Sequence, residues 1–250
     1  MTIDLTRRGL VLGAGGLLLA GCDRLNEAPA FRELLKTGER LNFTAHRAVS
    51  DRHALAREFS PAERSPVFRS NGTRLPMTPQ WQRWEEAGFA DWRLRVFGLV
   101  DRPLALSLAD LRRLPQREQI TRHDCVEGWS AIGKWTGARL APILQAAGLR
   151  GDARYLVFHC ADAIGGRSYY ESIDLIDAFH PQTILAHALN DAPLPVANGA
   201  PLRLRVERQL GYKQAKYLAG IEAVARLDGI RGGKGGFWED QAGYEWYAGI

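Results

Sequence analysis

The chain has 250 residues, of which 46% are hydrophobic and 24% are charged. These values are typical of a soluble globular protein, and they exclude wholesale disorder and a polytopic membrane protein. The formal net charge is only +5, with no block of like charge, so nucleic acid is not an expected partner. Three cysteines without a CxxC pair exclude a disulfide framework, a zinc ribbon and a cysteine-ligated cluster.

The first 21 residues have the layout of an export signal. Arg7 and Arg8 precede a short apolar run that ends in residues 19–22, LAGC. The arginine pair resembles a twin-arginine signal, and LAGC resembles a lipobox whose Cys22 becomes lipidated. A short transmembrane anchor is the alternative, although the run is shorter than the ~20 residues that span a bilayer. We therefore expect export of the folded protein to the periplasmic side of the cytoplasmic membrane, with a lipid anchor at Cys22.

The remaining chain shows a mixed pattern of short elements. Residues 22–60 are polar with little apolar periodicity, which predicts a tether and an irregular wrap, and the prolines that follow predict an extended loop. Beyond residue 91, strands are predicted at 92–97, 118–125, 155–160, 184–189, 202–206 and 221–227, and short helices at 107–114, at 140–147 and from Ser172 onward. Because strands and helices do not alternate regularly, we predict an α+β fold.

Cys125 is the first candidate for chemistry. It lies where a strand pattern ends in a loop, with His123, Asp124 and Glu127 close by in the chain. A thiol among polar neighbours can be a nucleophile with His123 as its base, or a metal ligand. A buried cysteine that only packs is the third possibility. The local composition leaves all three open.

A second group of residues predicts a cradle for an anion. Arg203 can hold an anion through two hydrogen bonds. Segment 211–216 reads GYKQAK, and its Lys213 and Lys216 would share one face if the segment were helical. Gly211 lets backbone amides approach an anion closely. A solvated basic loop is the alternative, but a thiolate together with an anion cradle is what a phosphorylated metal cofactor requires.

Three segments, in this order and spacing, resemble the sulfite-oxidase-fold molybdopterin oxidoreductases. They are residues 123–129 (HDCVEGW), 198–203 (NGAPLR) and 211–216 (GYKQAK). Within that family the chain is similar to the bacterial periplasmic branch that includes the catalytic subunit of the methionine-sulfoxide reductase system. The resemblance covers residues 61–250, and it implies one catalytic domain of the sulfite-oxidase type with many short strands and short helices.

The resemblance also implies a set of site residues. Cys125 matches the single protein ligand of one molybdenum, or of tungsten as the alternative, carried by one molybdopterin. Glu127 matches a position near the open face of the metal, where it would relay protons or support the structure. Cys160 stands where the methionine-sulfoxide reductase branch has a threonine. The implied cofactor-binding positions are Asn71, Cys160, Asn198, Arg203, Lys213, Gln214, Ala215 and Lys216.

The implied reaction is two-electron oxygen-atom transfer, namely reduction of an S-oxide or N-oxide such as methionine sulfoxide, free or in a protein. The sequence lacks the arginine-rich stretch that sulfite oxidases use to hold their dianionic substrate. Two alternatives are a sulfite-oxidase-like dehydrogenase and a metal-free lipoprotein binding module on the same fold. Because no haem motif is present, the electron donor is expected to be a membrane haem or quinol protein, or a cytochrome.

Overall fold

A computed structural model describes residues 28–250. The chain divides into two compact units, one up to Asp51 and the other from Arg52 to Ile250. The predicted export signal and the predicted lipid anchor at Cys22 lie outside the described residues. Within residues 28–250, no helix combines the length and the apolar character that crossing a membrane requires.

The described part of the first unit is dominated by one helix, α1 (Pro29–Val49). Here the structure differs from the irregular tether that the sequence predicts. Pro29 lies in the first turn, where its missing N–H removes no intrahelical bond. Phe31, Leu34 and Leu41 recur at steps of three or seven residues, but the charged residues between them conceal this period in a sequence reading.

The second unit contains five helices and ten strands among its described residues. The helices are α2 (Pro79–Glu86), α3 (Leu108–Arg113), α4 (Leu140–Ala147), α5 (Leu175–Ala178) and α6 (Phe237–Ala242). The strands are β1 (Leu94–Gly98), β2 (Leu104–Leu106), β3 (Gln116–Asp124), β4 (Ser130–Arg139), β5 (Tyr155–Ile164), β6 (Arg167–Asp174), β7 (Ile184–Leu189), β8 (Ala192–Pro193), β9 (Arg203–Arg205) and β10 (Leu218–Val224). Short 3-10 turns lie at Pro61–Glu63, Val196–Asn198 and Gly211–Lys213.

The strands form two five-stranded sheets. The first sheet has the order β2-β1-β10-β5-β6, in which β1 and β10 run parallel and the other pairs are antiparallel. The second has the order β3-β4-β7-β8, and β9 also pairs with β7. The larger cluster of buried apolar side chains includes Leu94 and Phe158 from the first sheet and Leu185 and Leu204 from the second. A shared core of this kind, with few short helices, confirms the predicted α+β class.

The chain before these sheets also contacts them. Glu58 bridges to Thr121, and the Phe59 N–H donates to the Ile120 carbonyl oxygen over 2.9 Å. Glu58 and Phe59 therefore lie alongside β3. Further on, Pro79 begins α2, a helix that the predicted proline-rich loop did not include.

The structure confirms the predicted helices α3 and α4, and specific residues define the start of α3 and the end of α4. The Ser107 hydroxyl accepts from the Asp110 N–H over 3.1 Å, and the Asp110 carboxylate accepts from the Ser107 N–H over 3.0 Å. This reciprocal capping box fixes the start of α3. Gly148 ends α4 with a φ of 69°, a left-handed conformation that favours glycine.

The predicted helix start at Ser172 is wrong. Ser172 lies in β6 opposite Val157, and its hydroxyl donates to the Gly235 carbonyl oxygen. Helix α5 begins after Asp174, whose carboxylate accepts from the Asp177 N–H over 2.9 Å. The strand continues because its neighbour β5 and the C-terminal segment satisfy its polar groups.

A buried ion cluster joins β6, the 211–213 turn and α6. The Lys213 Nζ lies 2.6 Å from Glu171 Oε2 and 2.5 Å from Glu239 Oε1, and none of the three residues is solvent-exposed. Burial raises the pKa of the Glu171 carboxyl well above its usual range, and the Glu239 carboxylate adds to this effect, although Lys213 opposes both. The Glu171 carboxyl is therefore easier to protonate than an ordinary glutamate, and the Lys213 ammonium is its buried cation partner.

The variant Lys213→Met tests how much this cluster contributes to the stability of the fold. Removing the ammonium leaves two carboxyl groups buried without a cation, so the free energy of unfolding should fall by about 3–5 kcal/mol in urea denaturation. Lys134→Met is the matched control, because Lys134 also meets two carboxylates, those of Glu118 at 2.9 Å and Asp191 at 2.6 Å, but at the surface. If Lys213→Met lowered the free energy of unfolding as little as Lys134→Met does, the cluster would not have a structural role.

Candidate functional site

A cleft of about 700 Å³, measured out to its open mouth, contains Cys125 in its wall. Six parts of the second unit line it: loop 71–73, the hairpin loop 125–127, the end of β5, Tyr169 of β6, the turn 211–216, and the C-terminal segment with Trp238 and Tyr244. Residues distant in sequence thus meet around one thiol.

The position of Cys125 follows from the β3–β4 hairpin. The last register pair is Asp124 opposite Ser130, and five residues connect the two strands. The Cys125 N–H donates to the Trp129 carbonyl oxygen over 2.9 Å, and the Gly128 N–H donates to the Cys125 carbonyl oxygen over 3.0 Å. Gly128 has a φ of 84°, which a residue with a Cβ rarely adopts. The tight loop holds the thiol at the cleft, 3.5 Å from Asn71 Nδ2.

Beside Cys125, His123 is buried and held as a neutral base. Its Nδ1 accepts from Arg205 Nη1 over 3.0 Å, and the Arg205 guanidinium also pairs with Glu207. Burial lowers the pKa of His123 well below its ordinary value, and the positive charges of Arg205 and Arg203 lower it further.

These surroundings disfavour the nucleophile hypothesis for Cys125. A thiolate–imidazolium pair requires a low thiol pKa and a raised histidine pKa. Burial raises the pKa of Cys125, while the pKa of His123 is lowered. Of the three roles left open by the sequence, metal ligation and simple burial remain, and the position of the thiol in the cleft wall favours ligation.

Several buried polar atoms near the cleft have no hydrogen-bond partner among the described residues. They are Asp162 Oδ1, Asn198 Nδ2, Arg203 Nε and Gln214 Oε1. Asp162 and Gln214 line the cleft, and the Arg203 guanidinium donates to the carbonyl oxygens of Asn198 over 3.0 Å and Gln214 over 3.1 Å. Since buried polar groups are normally paired, this set of donors and acceptors fits a polar cofactor.

Lys216 joins loop 70–73 to the rest of the site. Its Nζ donates to the carbonyl oxygens of Asn71 over 2.7 Å and Ala197 over 3.0 Å, and to that of Thr73. Burial and the nearby Arg203 lower the pKa of Lys216 to about 7. The ammonium therefore holds together two loops at the cleft.

A family model described as the oxidoreductase molybdopterin binding domain matches residues 81–228. The chain belongs to this family. It is therefore an oxidoreductase, as the three sequence motifs predicted. A molybdopterin is a polar ligand, and it fits the buried polar atoms near the cleft that have no partner among the described residues.

Two relatives illustrate the branch. A candidate protein-methionine-sulfoxide reductase subunit, YedZ1 of Azospira oryzae, is 44% identical over 195 residues, which are 76% of this chain and 70% of that protein. The protein-methionine-sulfoxide reductase catalytic subunit MsrP of Xanthomonas axonopodis pv. citri is 37% identical over 147 residues, or 54% of this chain. The match spans 46% of that second relative.

The fold has a solved counterpart in the sulfane dehydrogenase SoxCD from Paracoccus pantotrophus. The TM-score is 0.51 at 23% identity, and the match covers 54% of this chain and 39% of that one. This likeness concerns the fold, and it confirms the predicted sulfite-oxidase type.

Half of the ten predicted site residues line the cleft. These are Asn71, Cys125, Glu127, Gln214 and Lys216. Asn198 and Arg203 do not line the cleft themselves, but the Arg203 guanidinium donates to the carbonyl oxygens of Asn198 and of the lining residue Gln214. The remaining three are Cys160, Lys213 and Ala215, whose side chains are not part of the wall.

Lys213 does not take the position that the sequence predicts. It would share a face with Lys216 if the segment were helical, and the resemblance implies that it binds the cofactor, but its ammonium lies in the buried cluster with Glu171 and Glu239. The 3-10 turn ends at Lys213, and Gln214 has a φ of −94° and a ψ of 73°. Because the backbone leaves helical geometry between the two lysines, their side chains diverge.

Cys160 and Ala215 are also buried in the main apolar cluster. The Cys160 Sγ lies 3.8 Å from the Phe158 carbonyl oxygen. The Ala215 carbonyl oxygen accepts from the Leu204 N–H over 2.8 Å. Any contact of these two residues with a cofactor must therefore come from the backbone rather than the side chain.

Segment 162–166 follows Cys160, and the sequence predicts it to be a loop at the pocket mouth. Asp162 does line the cleft, but it lies in β5 rather than in a loop. Asp162 is only 3% exposed, and burial raises the pKa of its carboxyl. The roles of Trp238 and Tyr244 in the cleft wall were not predicted from the sequence. Trp238 and Tyr244 gave no signal, because only the tertiary fold brings the C-terminal segment to the cleft.

The turn 211–216 can be tested through Gly211→Ala. A Cβ at this position would overlap the His123 ring, which Arg205 holds in place. Forcing the ring to move should lower the free energy of unfolding by about 1–3 kcal/mol. Gly151→Ala is the control, since a Cβ there meets no atom within 4 Å. Equal melting temperatures for the two variants would show that the ring is not fixed.

Proposed function

We propose that this protein is a molybdenum–molybdopterin enzyme that reduces an S-oxide, with methionine sulfoxide, free or in a protein, as its substrate. The observation that carries the proposal is the Cys125 thiol in the wall of a cleft beside four buried polar atoms that have no hydrogen-bond partner within residues 28–250. The substrate class is supported by the names of the relatives from Azospira oryzae and Xanthomonas axonopodis pv. citri.

The residues of the cleft fit the cofactor. Cys125 would be the protein ligand of the metal, because a soft thiolate suits molybdenum. Asn71, Asn198, Arg203 and Gln214 would hold the pterin and its phosphate through the donors and acceptors described above, with Lys216 beside them. When bound, the cofactor supplies two-electron oxygen-atom transfer.

The protein itself would supply protons. Reduction of a sulfoxide consumes two electrons and two protons and yields a thioether and water. Glu127 is exposed in the hairpin loop, and its carboxylate accepts from Trp129 Nε1 over 2.9 Å, which fixes it at the cleft. A positioned carboxyl group of this kind can deliver protons as a general acid. Asp162 is the second carboxyl group in the wall, and the pKa raised by burial keeps a proton on it more readily.

The charge of the cleft favours a neutral substrate. Among its described lining residues, Lys216 is the sole cation, and its ammonium already donates to three carbonyl oxygens. A dianion such as sulfite would need free cationic donors to replace its hydration. A sulfoxide needs none, so reduction of an S-oxide or N-oxide is favoured over sulfite oxidation.

The setting of the reaction follows from the sequence. We place the enzyme on the periplasmic side of the cytoplasmic membrane, exported folded by residues 1–21 and anchored by lipid at Cys22. Residues 61–250 would form the catalytic domain. Electrons would come from a membrane haem or quinol protein, or from a cytochrome.

Cys125→Ser tests the metal. Protein exported from a host that makes the cofactor should contain nearly one molybdenum per chain, and the variant should contain almost none, because serine offers no soft thiolate. Cys160→Ala is the matched control and should keep its molybdenum. Elemental analysis measures all three. Wild-type protein without metal would instead support the metal-free binding module.

Glu127→Gln tests the proton donor. With reduced viologen as electron donor, kcat for methionine sulfoxide should fall about a hundredfold or more, because a general acid contributes at least that much. Molybdenum content should stay unchanged. Full kcat in Glu127→Gln together with a loss in Asp162→Asn would assign the proton to Asp162. Faster turnover of sulfite than of any S-oxide or N-oxide would reverse the proposed direction.

A further inference from the structure

The C-terminal segment supplies one side of the cleft, although it lies outside the family match. That match ends at residue 228, whereas Trp238 and Tyr244 line the cleft. This side of the cleft is therefore built by residues that follow the span matched by the family model.

The aromatic residues of this side touch one another. The ring centroids of Trp238 and Tyr244 lie 5.9 Å apart with 26° between the ring planes, and those of Tyr212 and Tyr244 lie 5.1 Å apart at 73°. The Tyr244 N–H donates to the Trp238 carbonyl oxygen over 3.3 Å. These contacts make a continuous surface, called here the aromatic wall: Tyr212, Trp238 and Tyr244.

The aromatic wall is held rigidly. Glu239, next to Trp238, is paired with Lys213 in the buried ion cluster. The Tyr212 hydroxyl donates to the Glu245 carbonyl oxygen over 2.6 Å. Further along, the Leu210 N–H donates to the Ala248 carbonyl oxygen over 2.9 Å. The segment is therefore fixed on both sides of Tyr244, and the wall has a set position in the cleft.

The chemistry of the aromatic wall favours neutral alkyl sulfoxides over oxyanions as ligands. Trp238 and Tyr244 are half-buried and leave part of their surface for a ligand, and Val126 and Ile164 add apolar surface to the same cleft. Aromatic faces attract alkyl groups and sulfur, and their negative quadrupole disfavours anions. An alkyl sulfoxide matches this surface, whereas an oxyanion does not.

We infer that Trp238 and Tyr244 are specificity-determining residues that bind the S-alkyl group of a neutral sulfoxide. This inference rests on the proposed function, since it assigns the substrate side of the same cleft. It implies that affinity for sulfoxides grows with the apolar area next to sulfur.

The first measurement uses the metal-loaded enzyme with reduced viologen. For Trp238→Leu, KM for methionine sulfoxide and for benzyl methyl sulfoxide should rise roughly tenfold, the effect of losing one good aromatic contact. KM for dimethyl sulfoxide should change much less, and kcat and molybdenum content should stay as in the wild type. Trp246→Phe is the matched control, because Trp246 belongs to the same segment but does not line the cleft.

The second measurement needs no turnover. Methionine sulfone serves as a ligand that the enzyme does not reduce. Its binding to the metal-loaded enzyme is followed by tryptophan fluorescence. The dissociation constant should rise in Trp238→Leu and in Tyr244→Leu but not in Trp246→Phe. Trp238→Phe, which keeps an aromatic ring, should give a smaller rise and serves if Trp238→Leu does not fold.

The outcomes separate the two proposals. Wild-type enzyme that reduces no sulfoxide but binds the sulfone through Trp238 would refute the proposed function and support the aromatic wall. Sulfoxide reduction with equal KM values in wild type and Trp238→Leu would overturn the inference alone. Loss of molybdenum in Trp238→Leu would also overturn it, because the wall would then serve the cofactor.

Discussion

The ammonium of Lys213 lies between the carboxyl groups of Glu171 and Glu239, and three parts of the chain meet at that point. A charge without solvent contact is stable only when its partners stay in place, so the cluster resists displacement of any one of them. Strand β6, the 211–213 turn and helix α6 are thereby fixed to one another. The turn carries Gln214 and Lys216 into the cleft, and α6 carries Trp238, so both sides of the cleft depend on this one interaction.

A second buried layer lies beside the thiol. The guanidinium groups of Arg203 and Arg205 lie 4.9 and 4.3 Å from the Trp135 ring centroid. Arg205 also pairs with Glu207 and donates to His123. Burial and these positive charges lower the pKa of His123, which makes it too weak a base to activate a cysteine nucleophile. Within the part of the chain that the structure describes, Arg203 Nε has no hydrogen-bond partner, an arrangement that fits a site built around a cofactor.

The cleft combines parts of different origin. Cys125, Glu127, Gln214 and Lys216 lie within the span that matches the family, and they form the side suited to the cofactor. Loop 71–73 and the C-terminal segment lie outside that span and complete the wall, together with residues such as Asp162 and Tyr212 that lie inside it. The cleft therefore depends on segments before and after the matched span as well as on the span itself.

The amino-acid sequence alone predicts the α+β class, the helices α3 and α4, the position of Cys125 and the cofactor family, because these depend on local patterns and ordered motifs. It did not reveal β4, whose Gly133 and Gly137 resemble turn residues. A Cβ on Gly137 would overlap the backbone of Leu185, so the glycine is required by strand packing that only the fold creates. The opposite directions of Lys213 and Lys216, and the approach of Trp238 to the cleft, were likewise decided by tertiary structure. Charge pairing and aromatic contact act between residues that are distant in the chain, and no local pattern encodes them.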